Sequence, residues 1–78
     1  MRYVINISRK VGINLYDNLF VQSYDDENKF NQAFIIIEQS LRAIKAYKKT
    51  IITEDDKFKV AEINIKSIWD EVELWKKD

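Results

Sequence analysis

The sequence predicts an α+β chain: a short N-terminal β-hairpin or three-strand meander, then a long helix and a second helix folded back as a helical hairpin. Three observations carry that expectation. Residues 2–8 alternate apolar and polar side chains. Apolar residues recur every three or four positions from Phe30 to Ile44, and again from Phe58 to Trp75. A mostly α three-helix bundle is one alternative. The other makes residues 50–66 a second β-hairpin before a short C-terminal helix.

The 78 residues suit a single domain, divided into strands at 1–22, a helix at 24–49 and a helix at 54–77. A chain of this size buries roughly 63% of its unfolded surface. Its core must therefore be dense or shared with another chain. A hydrophobic content of 46% and an aromatic content of 13% set it apart from disordered sequences.

In the first element Tyr3, Ile5 and Ile7 face one way, and Arg2, Asn6 and Ser8 the other. A turn is expected near Arg9-Lys10, then a strand carrying Val11, Ile13 and Leu15. Asp17-Asn18 tolerates positive φ and suits a second turn, after which Leu19 to Gln22 returns as a third strand. The competing pattern over 9–22 is a helix using Val11, Leu15, Leu19 and Gln22.

The long helix begins at a cap-like pair, Ser23 with Asp26, and has Asp25, Asp26 and Glu27 where the helix dipole favours negative charge. Phe30, Phe34, Ile37, Leu41 and Ile44 form its seam, with Ala33, Ile36, Ala43 and Tyr47 widening it. Ile35 lies outside, among Glu38, Arg42 and Lys45. In the second helix Phe58, Ala61, Ile65, Ile68, Val72 and Trp75 step by 3 and 4, after a cap at Thr53 with Asp56. This leaves Val60, Ile63 and Leu74 on the back. The rival reading puts a turn at Glu54-Asp55-Asp56-Lys57, alternates through Ala61 to Lys66, and starts a short helix capped by Ser67 and Asp70.

Composition narrows the chemistry. The chain has no Cys and no His, which removes disulfides, thiolate ligands, the Cys nucleophile and the commonest general base. One Gly and no Pro leave no phosphate-cradling loop. No metal or other cofactor is expected, because the clusters Asp25-Asp26-Glu27 and Glu54-Asp55-Asp56 fall where helix capping alone explains them. No apolar run is long enough for a membrane span, and the N-terminus lacks a signal-peptide core. The expected location is cytoplasmic.

The 13 cations and 13 anions cancel, but in blocks: residues 1–24 sum to +2, 25–27 to −3, 28–50 to +4, 54–56 to −3 and 57–66 to +2. Arg42, Lys45, Lys48 and Lys49 gather at the end of the long helix, a weak candidate for anion or nucleic-acid contact. Trp69, Trp75, Tyr47 and Ile35 are candidate partner contacts, since indoles are enriched at interfaces and Ile35 falls on a polar face.

The apolar surplus predicts self-association, as a homodimer or higher oligomer. A short Ile/Asn/Lys/Asp-rich chain without an evident reactive group has the composition of proteins encoded by phages and mobile elements of low-GC bacteria. The expected function is a small non-enzymatic binding module that inhibits or regulates a host protein by blocking or sequestering it. Two alternatives are a nucleic-acid-binding regulatory dimer using the basic helix end, and an oligomer sequestering a small anionic ligand such as a nucleotide.

Overall fold

The computed structural model describes residues 1–71. Four strands and one helix follow in the order β1 (Arg2–Gly12), β2 (Leu15–Tyr24), α1 (Glu27–Ala43), β3 (Tyr47–Glu54) and β4 (Phe58–Ile65). The strands form one sheet in the order β2-β1-β4-β3. Its two central strands, β1 and β4, run parallel, and each outer strand pairs antiparallel with its neighbour.

The N-terminal meander is replaced by one long hairpin. Arg9-Lys10 does not turn; it continues β1, where Arg9 is exposed and Lys10 is buried. The reversal falls at residues 13–14, with Asn14 in the left-handed region at φ 55°. Asn accepts that conformation far better than Arg or Lys. Asp17-Asn18 lies inside β2, next to a bulge: Ile7 pairs with Phe20 and Ser8 with Asn18, so Leu19 is the extra residue. The helix considered over 9–22 does not form.

The long helix is shorter than 24–49. Asp26, rather than Ser23, is its N-cap, and its carboxylate accepts from the Asn28 N–H at 2.8 Å. At the other end the Lys45 N–H donates to the Arg42 carbonyl (3.0 Å) and the Ala46 N–H to the Leu41 carbonyl (2.8 Å). With Lys45 left-handed at φ 59°, this is a Schellman stop built without glycine. A side chain there costs about 1–2 kcal/mol, part of which glycine returns through its looser unfolded state. Lys45→Gly is expected to raise stability by about 0.5–1 kcal/mol, measured as a higher urea midpoint at unchanged slope.

The second helix, and with it the helical hairpin, is overturned. Glu54 to Lys57 form a turn in which Asp55 accepts from the N–H groups of Lys57 and Phe58, both at 2.8 Å, and β4 follows. Here β-branched residues and period-two alternation outweigh the 3-4 spacing. Among the described residues that follow β4, only 68–71 turn helically, behind a cap at Ser67 and Asp70. The three-helix bundle is excluded by the same strands.

The core lies between the sheet and α1. Ile5, Phe30, Ala61 and Ile63 are buried, and Tyr3, Ile7, Tyr24, Ala33, Phe34, Ile37, Leu41 and Tyr47 pack around them. The helix meets the sheet through Phe30, Phe34, Ile37 and Leu41, four of the five seam residues. Ile44, the fifth, is the exposed C-cap.

Candidate functional site

Two regions present functional side chains: one end of the sheet and the sheet face turned away from α1.

At the first, β1 and β4 finish beside the C-terminus of α1 and the start of β3. Arg9, Lys10, Arg42, Lys45, Lys48, Lys49 and Lys66 all belong to these segments. Lys66 is anchored by its N–H, which donates to the Ala46 carbonyl at 2.7 Å. A depression of about 590 Å³ is lined by Arg9, Lys10, Lys66, Trp69 and Glu71 among others, and a smaller one of about 240 Å³ by Arg42, Lys45, Tyr47 and Lys66.

The four basic residues expected at one helix end are thus spread over three settings. Arg42, in the last helical turn, lies 3.3 Å from Glu38 and stacks its guanidinium 4.2 Å above the Tyr47 ring. Lys45 is the left-handed residue. Lys48 and Lys49 belong to β3, where Lys48 pairs with Asp70. Partial burial works to raise the Asp70 carboxyl. Hydrogen bonds from the Lys48 ammonium and the Ser67 N–H, with the charges of Lys48 and Lys10, outweigh it and hold the carboxyl below its ordinary value. The Asp55 carboxyl is also held low, by the two turn N–H groups. Both acidic blocks are therefore occupied with local structure, Asp26 at the helix cap and Asp55 in the hairpin turn. Among the described residues no group of three or more acidic side chains is placed to hold a metal.

Tyr47 is half-buried and its hydroxyl shares a 2.9 Å hydrogen bond with Thr50. Trp69 is half-buried in the wall of the larger depression. Ile35 is exposed on the outer side of α1, apart from both. Trp75 lies outside the described residues.

The second region is the sheet face turned away from α1, called open here because α1 and β1–β4 leave it uncovered. Cα partners in neighbouring strands share a face, so the register fixes its rows. Val21, Asn6, Glu62 and Ile51 form one row, and Ser23, Val4, Val60 and Thr53 the next, with Phe58 beside Arg2 at the end. Val21, Ile51 and Phe58 are exposed, and Val4 and Val60 are half-buried between them. Toward the other end the face becomes polar. Ser8 and Asn64 are buried, with Ser8 Oγ 2.9 Å from Asn64 Oδ1 and 3.3 Å from Glu62 Oε1. Sequence reasoning missed this apolar strip because it depends on aligning four strands. Its only local signal was Val4, the residue that breaks the alternation of β1.

No protein-family model, curated protein or solved structure matches the chain. No helix among the described residues is long and apolar enough to cross a membrane, which says nothing of membrane-crossing strands.

Proposed function

We propose that this chain is a non-enzymatic binding module that blocks or sequesters a protein partner through its open sheet face, as an inhibitor or regulator of phage or mobile-element type. The observation that carries this reading is the strip Val21, Val4, Val60, Phe58 and Ile51, which no described residue covers. Apolar side chains left exposed on one sheet face mark a candidate contact surface.

Phosphate or nucleic-acid contact at the basic end is the weaker reading, since Arg42 and Lys48 are each paired with a carboxylate. The test is affinity capture from host lysate with tagged wild type and an Ile51→Lys, Phe58→Lys double variant. The expected result is a protein retained by the wild type and lost by the variant. Equal retention by both would remove the open face from the interaction.

A further inference from the structure

The sheet end beside the C-terminus of α1 holds more positive charge than its ion pairs use. Arg42, Lys45 and Lys66 line the depression of about 240 Å³ together with Tyr47, and among the described residues no carboxylate shares that lining. Arg42 spends its Nε–H on Glu38, 3.3 Å away, and its guanidinium is held 4.2 Å over the Tyr47 ring. Both of its Nη groups remain as donors. Among the described residues Lys45, Lys66 and Arg9 form no ion pair. The carbonyl end of α1 favours cations near it, which accounts for Arg42 and Lys45. It does not account for Lys66, which follows β4 and is fixed by the 2.7 Å bond from its N–H to the Ala46 carbonyl. Three like charges around one hollow repel one another, and a bound anion removes that repulsion.

Lys66 also lines the neighbouring depression of about 590 Å³, with Arg9, Trp69 and Glu71. That volume falls within the roughly 300–1,000 Å³ of small-molecule sites. Its aromatic wall is the half-buried Trp69 indole, a surface on which a flat ring can stack. Tyr47 offers no such surface, since Arg42 lies over its ring and Thr50 holds its hydroxyl. Lys10, in the same wall as Trp69, is buried and already engaged with the Tyr16 ring. Glu71 stands in the larger lining, so the most negative part of a ligand belongs in the smaller depression, where the cations have no such neighbour. We propose that the two depressions take the two halves of a nucleoside phosphate: the phosphate among Arg42, Lys45 and Lys66, and the base on Trp69. A free nucleotide and one unit of a single strand present the same chemistry to this end of the sheet. None of these residues belongs to the apolar strip, so the site stands apart from the open face.

The test is calorimetric titration of the purified full chain with adenosine monophosphate, adenosine and inorganic phosphate. The monophosphate is expected to bind, and each half alone to bind weaker by about tenfold or more. Lys66→Gln keeps the backbone bond to Ala46 and is expected to weaken the monophosphate about tenfold with an unchanged circular dichroism spectrum. Lys45→Gly gives an independent check, because it is expected to raise stability and yet to weaken binding. Trp75→Phe leaves Trp69 as the single indole, and its fluorescence should be quenched as the monophosphate saturates the site. No binding at millimolar monophosphate, or full binding by both the Lys66 and the Lys45 variants, would overturn the site. Phosphate bound as tightly as the monophosphate, or binding without quenching, would remove the base from Trp69 and overturn the assignment of a nucleoside phosphate. A single-stranded adenine octanucleotide distinguishes the sources. Tighter binding than the monophosphate, falling steeply with salt, identifies a strand, and equal or weaker binding identifies the free nucleotide.

Discussion

Phe30→Ala is expected to cost about 3–5 kcal/mol, enough to unfold a large part of the population of a small domain. Phe30 is the one buried residue of α1 and sits in its first turn, at the N-terminal end of its contact with the sheet. The Tyr3 ring lies 5.5 Å from it on β1, Phe34 6.4 Å one helical turn on, and Tyr24 6.5 Å at the end of β2. Lys59 from β4 lies 5.8 Å over the same ring and 3.7 Å from Glu27, the residue that opens the helix. One side chain therefore joins α1 to three strands. Its truncation leaves a cavity bordered by rings, which have few rotamers with which to collapse into it. Phe30→Leu keeps most of the apolar volume and should lose distinctly less. The check is urea unfolding followed by far-UV circular dichroism. A loss below about 1 kcal/mol for Phe30→Ala would mean that the helix draws its stability from elsewhere.

How far the sequence disclosed this arrangement varies with the range of the forces involved. The seam Phe30, Phe34, Ile37 and Leu41 was legible because helical periodicity is local, and β1 was legible through Tyr3, Ile5 and Ile7 for the same reason. The ends of α1 were misplaced. Asp26 caps as well as Ser23 by residue type, and the stop at Lys45 uses a left-handed residue that no glycine announces. The turn at Asn14 was overlooked because Arg9-Lys10 and Asp17-Asn18 looked more like punctuation. The second helical pattern failed for a deeper reason. Ala61, Ile65 and Ile68 satisfy a helix, while Ala61, Ile63 and Ile65 satisfy a strand, and only β1 decides between them. By pairing parallel to β4 it supplies the ladder that residues 58–65 need. That partner lies more than fifty residues away. The same distance hid the open-face strip, which exists only once Val4 stands beside Val60 and Val21 joins the row of Ile51. Trp69 and Tyr47 lie at the end where the sheet and the helix finish together, and Ile35 stands apart from them.

The competing patterns in residues 58–65 give opposite mutational outcomes, which makes this segment the most decisive place to perturb. A helix over 54–77 would put Phe58 in its seam and Ile63 on its back, so Phe58→Ala would be severe and Ile63→Ala mild. The sheet reverses the order. Ile63 is 0% exposed, pairs with Ile7 on one side and Thr50 on the other, and lies beneath α1 in the same core as Phe30. Phe58 is 45% exposed at the start of β4, where its backbone, held by Asp55, matters more than its ring. Ile63→Ala is therefore expected to cost about 2–5 kcal/mol, and Phe58→Ala about 1 kcal/mol, as the loss of a half-exposed ring. Urea midpoints of the two variants against wild type give the order directly. The comparison also separates stability from binding. Ile63 is enclosed and touches no partner surface, so its truncation should weaken capture only in proportion to the unfolded fraction. Phe58 lies on the open strip, so its loss should weaken capture while the chain stays folded. If the two stability losses came out in the opposite order, the central position of β4, and the apolar face that depends on it, would both be wrong.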